Sequence, residues 1–138
     1  MTTSQSSGTT NLKPILALTT VLREALGDPP LIVVHVFMTI MDKPGVSQTE
    51  IAKSLHMSKG AVSRTISSLR SIVNWDRRRE RPGPDLIDER VDPVETRARK
   101  IYLNARGEQL AGAVKQALAG ERVTMPKPLR VDTWRAKD

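Results

Sequence analysis

Small polar and cationic side chains occupy one face of the helix that the sequence predicts over residues 59–73. Val62, Ile66 and Leu69 recur at i, i+4 and i+7, the spacing of a buried helical stripe. An ordinary solvated face favours strong helix formers such as Glu, Lys and Ala, whereas this face contains serines and a glycine. The residues of this face and its edges, together with the serine that caps the helix, are Ser58, Lys59, Gly60, Ser63, Arg64, Ser67 and Arg70.

These residue types suit a helix that enters the major groove of duplex DNA. Small side chains allow a helix to lie deep in a groove roughly 12 Å wide, where the Arg64 guanidinium can donate to both O6 and N7 of guanine. Ser63 and Gly60 are expected to set sequence choice with Arg64, while Lys59 and Arg70 are expected to contact phosphates. The alternative interpretation is a polar surface helix that is merely rich in serine.

The segment before this helix predicts the first half of a helix-turn-helix. Ser47 and Glu50 have the spacing of a capping box, in which the serine hydroxyl accepts from the Glu50 N–H and the carboxylate reaches back. A short helix over residues 49–55 follows, with a brief turn at His56, and Ser58 caps the next helix. Two short helices joined by a three-residue turn form a helix-turn-helix.

A second group of cations lies in a predicted β-hairpin. Residues 86–87 and 99–103 have the character of two short strands, with Arg97, Arg99 and Lys100 in or beside them. A cationic hairpin beside a groove-reading helix can place an arginine in the adjacent minor groove, where narrow A·T-rich sequence deepens the negative potential. We expect Arg97 and Arg99 to contact DNA, and Lys100 to be solvated.

A third group of cations lies in the connection over residues 74–85. This stretch ends in a Pro-Gly-Pro sequence and is predicted to be a loop. Its positive charge predicts an arm that touches DNA phosphates. The arginines of this loop are Arg77, Arg78, Arg79 and Arg81, of which the first three are predicted to bind DNA.

Residues 31–42 are the ambiguous part of the chain. Their first seven residues are rich in β-branched side chains and are compatible with a buried strand. A length of about 12 residues favours a helix, as does a start with Asp28 as the N-cap and a proline at the first helical position. We therefore predict a helix that ends before Pro44.

The other elements complete a mainly α fold with a small β-wing. A helix is predicted over residues 13–26 and ends at Gly27, and a last helix begins after Asn104 and ends at Gly120. The predicted organisation is a disordered tail over residues 1–11, a winged-helix domain with flanking dimerisation helices over 12–120, and a flexible tail over 121–138.

Composition narrows the classes of function. The 138 residues carry a net charge of +7, which favours association with nucleic acid, and they include four aromatic residues and no cysteine. His35 and His56 have no partner at metal-ligand spacing, and Asp88 and Glu89 fall beside arginines, where ion pairing is expected rather than catalysis. We predict no enzyme, no cofactor and no metal. Without a signal sequence or a membrane-spanning stretch, the protein is expected to be cytoplasmic.

The segment from about residue 44 to 109 resembles the MarR family of winged-helix transcription regulators. The resemblance rests on an ordered series of motifs. It implies a wing over residues 88–100 whose Asp-x-Arg motif is represented by Glu95 and Arg97, a homodimer formed through helices 12–26 and 105–119, and a small effector, for which no pocket is identified. The motifs are Gln48-Thr49-Glu50-Ile51-Ala52, Val62-Ser63-Arg64, Leu86-Ile87-Asp88-Glu89-Arg90, Asp92-Pro93-Val94-Glu95-Thr96-Arg97-Ala98-Arg99 and Leu103-Asn104-Ala105-Arg106-Gly107.

Three features depart from the pattern of this family. His56 stands where a glycine is usual, so a left-handed backbone is expected there at some cost. The connection over residues 74–85 is longer and more basic, and the chain offers one terminal helix instead of a long C-terminal pair.

The resulting hypothesis is a homodimeric, sequence-specific repressor that binds a near-palindromic operator. Two other functions stay open from the sequence. One is an accessory or architectural DNA-binding protein of a replicon, plasmid or phage with little sequence choice. The other is a winged-helix module that docks on an acidic protein.

Overall fold

The computed structural model describes residues 10–70, 72–76, 79–95 and 98–126, with backbone alone for the strand residues 72–76 and 79–82. Within these ranges, the helices and short strands follow an order that agrees with the predicted winged helix. The helices are α1 (Lys13–Leu26), α2 (Leu31–Asp42), α3 (Gln48–Leu55), α4 (Lys59–Ser67) and α5 (Ala105–Ala119), and the strands are β1 (Val46–Ser47), β2 (Ile72–Asp76), β3 (Arg79–Pro82), β4 (Ile87–Val91) and β5 (Arg99–Leu103).

The ambiguous segment forms helix α2, as predicted, but its start differs from the prediction. Asp28 is not the N-cap: its backbone is left-handed (φ 53°) and its carboxylate accepts from Arg23 Nε at 2.5 Å. Pro30 takes the N-cap position with an extended backbone. The physical reason is the Pro-Pro pair, because a residue that precedes proline is driven out of the helical region.

The helix-turn-helix is confirmed with both of its caps. Ser47 Oγ accepts from Glu50 N at 3.1 Å, and Glu50 Oε1 accepts from Ser47 N at 3.2 Å. Ser58 Oγ accepts from Ala61 N at 3.1 Å and starts α4. Hydrogen bonds from Lys43 Nζ, at 2.6 Å, and from the Ser47 backbone lower the pKa of Glu50, so this carboxylate supports the cap until the pH falls through that lowered pKa.

The turn between α3 and α4 has the left-handed residue that the sequence predicts. His56 has φ 53° and ψ 47°, and its N–H donates to the Ala52 carbonyl. We expect His56→Gly to raise the free energy of unfolding by about 1 kcal/mol, because glycine adopts this conformation without a Cβ penalty. Chemical denaturation measures the change. His56→Ala is the control, since it removes the imidazole and keeps the strain; an equal gain in both variants would contradict the explanation.

Helix α4 is shorter than predicted. It ends at Ser67 rather than near residue 73, because Ser68 turns back on the helix, with its hydroxyl donating to the Thr65 carbonyl at 2.6 Å. Such serine-to-backbone bonds compete with helix continuation. The β-branched pair Ile72-Val73 then enters a strand.

The prediction of a loop over residues 74–85 is also wrong, because two strands, Ile72–Asp76 and Arg79–Pro82, occupy much of this stretch. Strands β2 and β3 pair antiparallel, with Ile72 opposite Pro82 and Val73 opposite Arg81, and with a register shift between Asn74 and Asp76. This two-stranded unit over residues 72–82 is called the basic ribbon below. Two backbone hydrogen bonds join the chain segments on either side of the ribbon. Leu86 N donates to Leu69 O at 3.0 Å, and Asp85 N donates to Arg70 O at 3.2 Å.

The wing is a hairpin of β4 and β5, as predicted. The two strands pair antiparallel from Ile87 opposite Leu103 to Val91 opposite Arg99. The short strand β1, which the sequence analysis missed, adds to the other edge of β5, with Val46 opposite Ile101. The wing, defined here as residues 87–103, is therefore anchored to the start of the helix-turn-helix.

The core joins the helix-turn-helix to the flanking helices. Buried side chains come from every helix and from the wing sheet, and α1 packs on α5. After Gly120, residues 121–126 have no helix or strand, yet Val123 and Met125 pack against the core, and Thr124 N donates to Gln116 Oε1 at 2.8 Å. The packed part of the chain therefore continues past the predicted end of the domain at residue 120.

None of the helices in the described residues is by itself long and apolar enough to cross a membrane. By length and composition the pair α1 and α2 passes such a test together, with a bend of 101° between the two helices.

Candidate nucleic-acid interface

The exposed face of α4 brings together the residues predicted to read DNA. Val62, Thr65 and Ile66 are buried against the core, which fixes the rotation of the helix. Four of the predicted contact residues are exposed on the other side, at the first two turns of the helix, and Ser67 is half-buried at its end. The exposed four are Lys59, Gly60, Ser63 and Arg64.

Gly60 leaves room for the side chain of Arg64. A Cβ placed at residue 60 meets only Arg64 Nη1, at 3.3 Å, so no other described group packs on this position. Glycine inside a helix costs about 1 kcal/mol relative to alanine. Nothing in the described residues compensates this cost, and the glycine leaves the backbone of α4 open to close approach.

Ser58 has a structural role as well as its predicted one. Its hydroxyl accepts from Ala61 N and satisfies one of the free N–H groups at the start of α4. The residue is exposed at the same helix end as Lys59, so its hydroxyl can also donate outward.

The wing places Arg99 at an exposed position on the first residue of β5. The turn that precedes it is ordered by Asp92, whose Oδ1 accepts from Val94 N at 2.9 Å and from Glu95 N at 3.3 Å. These backbone bonds, with a smaller contribution from Lys100, lower the pKa of Asp92, so its carboxylate holds the turn until the pH falls through that lowered pKa. The predicted minor-groove residue Arg97 lies outside the described residues.

Arg70 is bound to the wing. Its guanidinium Nη2 donates to Glu89 Oε1 on β4, with side-chain exposures of 45% for Arg70 and 10% for Glu89. The sequence analysis expected ion pairing at Glu89 but did not identify this partner. The signal was available, because Glu89 is two residues from Ile87 and shares its face of β4. Ile87 is buried, and an acidic side chain beside it on an inward face requires a cation.

The start of α5 holds the base of the wing in place. Asn104 Oδ1 accepts from Gly107 N at 2.8 Å and caps the helix, while its Nδ2 donates to the backbone oxygen of Asp85 at 3.0 Å. Arg106 Nε donates to the Pro84 carbonyl at 2.9 Å. Asp85 itself has a left-handed backbone, with φ 54°. These contacts fix where the chain leaves the basic ribbon and enters β4.

The arginines of the basic ribbon are placed only by the backbone. Arg79 is the first residue of β3 and pairs with Asp76, and Arg81 pairs with Val73. Arg77 and Arg78 lie outside the described residues. The ribbon starts just after α4, so its strands lie at the C-terminal end of the predicted recognition helix.

No group of three His, Cys, Asp or Glu side chains that could hold a metal ion exists in the part of the chain that the structure describes. A depression between Arg70 and the wing is lined by charged side chains and by one apolar residue, Ile87. The charged residues are Arg70, Asp85, Asp88, Glu89 and Arg99.

Comparison with known proteins agrees with this geometry. Residues 39–71, from the end of α2 to just past α4, match a family model described as winged helix-turn-helix DNA-binding. No curated protein sequence matches the chain significantly.

Three solved structures illustrate the similarity. A MarR transcriptional regulator from Methanosarcina mazei Go1 is 14% identical, with a TM-score of 0.56 over 76% of this chain and 66% of that one. MepR of S. aureus, in complex with DNA, is 22% identical, with a TM-score of 0.58 over 77% of this chain and 76% of that one. FabT of Streptococcus pneumoniae, in complex with DNA, is 18% identical, with a TM-score of 0.53 over 80% and 70%. The chain thus spans just under two thirds of the first of these proteins.

The fold is therefore a winged helix-turn-helix. Its particular form is MarR-like, because the structures of a MarR regulator and of MepR match 76% and 77% of the chain at TM-scores of 0.56 and 0.58. The resemblance predicted from the sequence motifs is confirmed for the fold.

Proposed function

We propose that this protein is a DNA-binding transcriptional regulator that reads duplex DNA with α4 in the major groove. The observation that supports this most is the composition of the exposed face of α4, where small residues surround Arg64 and a glycine has no packing role. A net charge of +7 supplies the attraction for a polyanion. Two of the three structurally similar proteins named above, MepR and FabT, are described in complexes with DNA.

Each contact group has a distinct role in this proposal. Arg64, Ser63 and Gly60 face the base edges and set sequence choice, while Lys59 and Ser58 lie at the helix tip beside the DNA backbone. Arg99 and Arg97 of the wing reach the adjacent minor groove. Ser67, half-buried on the last turn of α4, adds a hydroxyl at the far end of the same face.

We further propose that the protein acts as a homodimer through α1 and α5. The two helices pack on each other and leave large apolar side chains uncovered, with exposures of 57% for Leu12, 63% for Leu16 and 45% for Leu118. A symmetric dimer covers such a surface and sets two recognition helices roughly 34–36 Å apart, one turn of DNA. Its operator is then nearly palindromic, and occupancy at a promoter represses transcription.

The basic ribbon adds phosphate contacts in this proposal. Replacing Arg77, Arg78 and Arg79 together by alanine should weaken binding to every duplex sequence alike. The slope of log K against log salt should become shallower by about 0.9 for each phosphate that the variant no longer neutralises. Titrations of a fluorescent duplex by anisotropy at several salt concentrations measure both quantities.

Arg122→Ala is the control for the loss of one positive charge outside the ribbon, because Arg122 is exposed and lies beyond α5. It should leave the slope unchanged. A ribbon variant with the wild-type slope shows that the ribbon does not touch phosphates. A wild-type protein with no affinity for duplex DNA at about 150 mM salt would contradict the proposed function as a whole and favour docking on an acidic protein.

A further inference from the structure

Glu89 is an acidic side chain on the inward face of a strand at the edge of a surface that we propose binds a polyanion. It follows the buried Ile87 on the same face of β4 and is itself only 10% exposed. Removing a carboxylate from water is costly unless a well-placed cation compensates it. A carboxylate there also repels phosphate. Both effects are unfavourable for a DNA-binding wing, so we expect the ion pair that Glu89 forms to have a function.

Its partner ties two elements together. Arg70 lies three residues beyond the end of α4, and its backbone oxygen accepts from Asp85 N at 3.2 Å where the chain returns toward β4. Its guanidinium then reaches β4 and donates to Glu89. Arg70 is thus held by its main chain at the base of the ribbon and by its side chain at the wing.

The charges around this pair disfavour direct phosphate contact by Arg70. The depression between Arg70 and the wing is lined by two arginines, Arg70 and Arg99, and by three carboxylates, Asp85, Asp88 and Glu89. The guanidinium of Arg70 already donates to Glu89, and the pair together has no net charge.

We propose that Glu89 is a positioning residue for DNA recognition: through Arg70 it fixes the orientation of the wing relative to α4. This inference rests on the proposed function, since it concerns how the two DNA-reading elements are held for adjacent grooves. It replaces the expectation that Arg70 contacts phosphate. Misplacing one element relative to the other costs binding energy at every base that the second element reaches.

An electrostatic role and a positioning role of Glu89 predict opposite changes in DNA affinity for the same substitution. Glu89→Arg adds two positive units beside the DNA, so a purely electrostatic role predicts tighter binding. The positioning role predicts a loss, because two arginines then face each other and the wing is no longer held. Arg70→Glu should cause a similar loss. The double variant Arg70→Glu/Glu89→Arg restores the pair with its charges exchanged and leaves the net charge of the protein unchanged.

The experiment compares four proteins: the wild type, the two single variants and the double variant. The measured quantity is the ratio of affinities for the selected operator duplex and for a random duplex at about 150 mM salt. We expect each single variant to lose roughly tenfold in this ratio and the double variant to recover to within about threefold of the wild type. Glu121→Arg and Arg122→Glu are controls with the same charge changes at exposed positions beyond α5.

Several outcomes would overturn the positioning role. One is tighter binding by Glu89→Arg with an unchanged ratio. Another is a double variant as impaired as Arg70→Glu, which would make Arg70 a phosphate ligand. A third is that both single variants have a lower melting temperature but keep the wild-type ratio of affinities. The ion pair would then contribute to stability only. A wild type that does not discriminate between duplexes is the failure of the proposed function instead, and it is visible before any variant is made.

Discussion

Arg64→Ala is expected to abolish the preference for one base pair in each half-site. The loss should be about 1–3 kcal/mol, or roughly 5- to 150-fold in affinity for the preferred duplex, because one bidentate arginine–guanine contact disappears. Affinity for random duplexes should fall much less, since the phosphate contacts stay in place. The measurement is competition binding with duplexes that differ at a single position.

Two variants control this experiment. Arg122→Ala removes the same charge at an exposed position beyond α5 and should leave base preference and affinity nearly unchanged. Lys59→Ala removes a cation from the tip of α4 and should weaken binding to all duplexes by a similar factor. If Arg64→Ala behaves like Lys59→Ala, with every base preference intact, Arg64 contacts the backbone and the assignment of the reading face is wrong.

Gly107→Ala is expected to have the largest effect on stability. A Cβ at this position lies 2.1 Å from the Leu86 carbonyl oxygen and 3.0 Å from Leu103 Cβ, so backbone has to move. The Leu86 oxygen is also held by a bond from Asn104 N at 3.0 Å. We expect a loss of about 3 kcal/mol or more in the free energy of unfolding, which is a large share of the stability of a small domain.

The same helix supplies the matched control. Gly112 is in the middle of α5, and a Cβ placed there meets nothing within 4 Å. Gly112→Ala should therefore stabilise the protein by about 0.5–1 kcal/mol through helix propensity alone. Denaturant titrations of both variants under one set of conditions test the pair. Equal effects of the two substitutions would show that the approach of α5 to Leu86 is not the constraint that the structure indicates.

Local signals in the sequence were sufficient to predict the helix-turn-helix. The reciprocal bonds of Ser47 and Glu50, the cap at Ser58 and the cap at Asn104 each involve residues three apart, and all are present in the structure. The buried stripe of α4 was predicted by the same short-range logic and sets the direction of Arg64. The reading face could thus be proposed before any coordinates, because a short helix with one apolar stripe has one opposite face.

Three local predictions were wrong, and for two of them competing interactions are the reason. Asp28 has the residue type of an N-cap, but the two prolines after it and the nearby Arg23 draw it elsewhere. The end of α4 was misplaced because the bond from Ser68 to Thr65 and the strand pairing of Ile72 with Pro82 outweigh a continuing apolar period. A loop rich in arginine and proline gave no alternation from which the basic ribbon could be recognised.

Contacts between residues far apart in the chain could not be predicted from sequence patterns. Arg70 and Glu89 are 19 residues apart, and their pairing depends on how α4 packs beside the wing. The closeness of Gly107 to Leu86 has the same origin. The sequence could identify candidate cations for DNA, but it could not show which of them was already engaged with a carboxylate.

The most direct test of the central claim is selection of binding sites from a random duplex library at about 150 mM salt, followed by sequencing. A dimeric regulator that reads DNA with α4 should enrich an inverted repeat whose half-sites lie about ten base pairs apart. Arg64→Ala, selected in parallel, should lose one position from each half-site. Binding without any enriched motif, or no binding at all, would contradict the claim that this winged helix reads sequence.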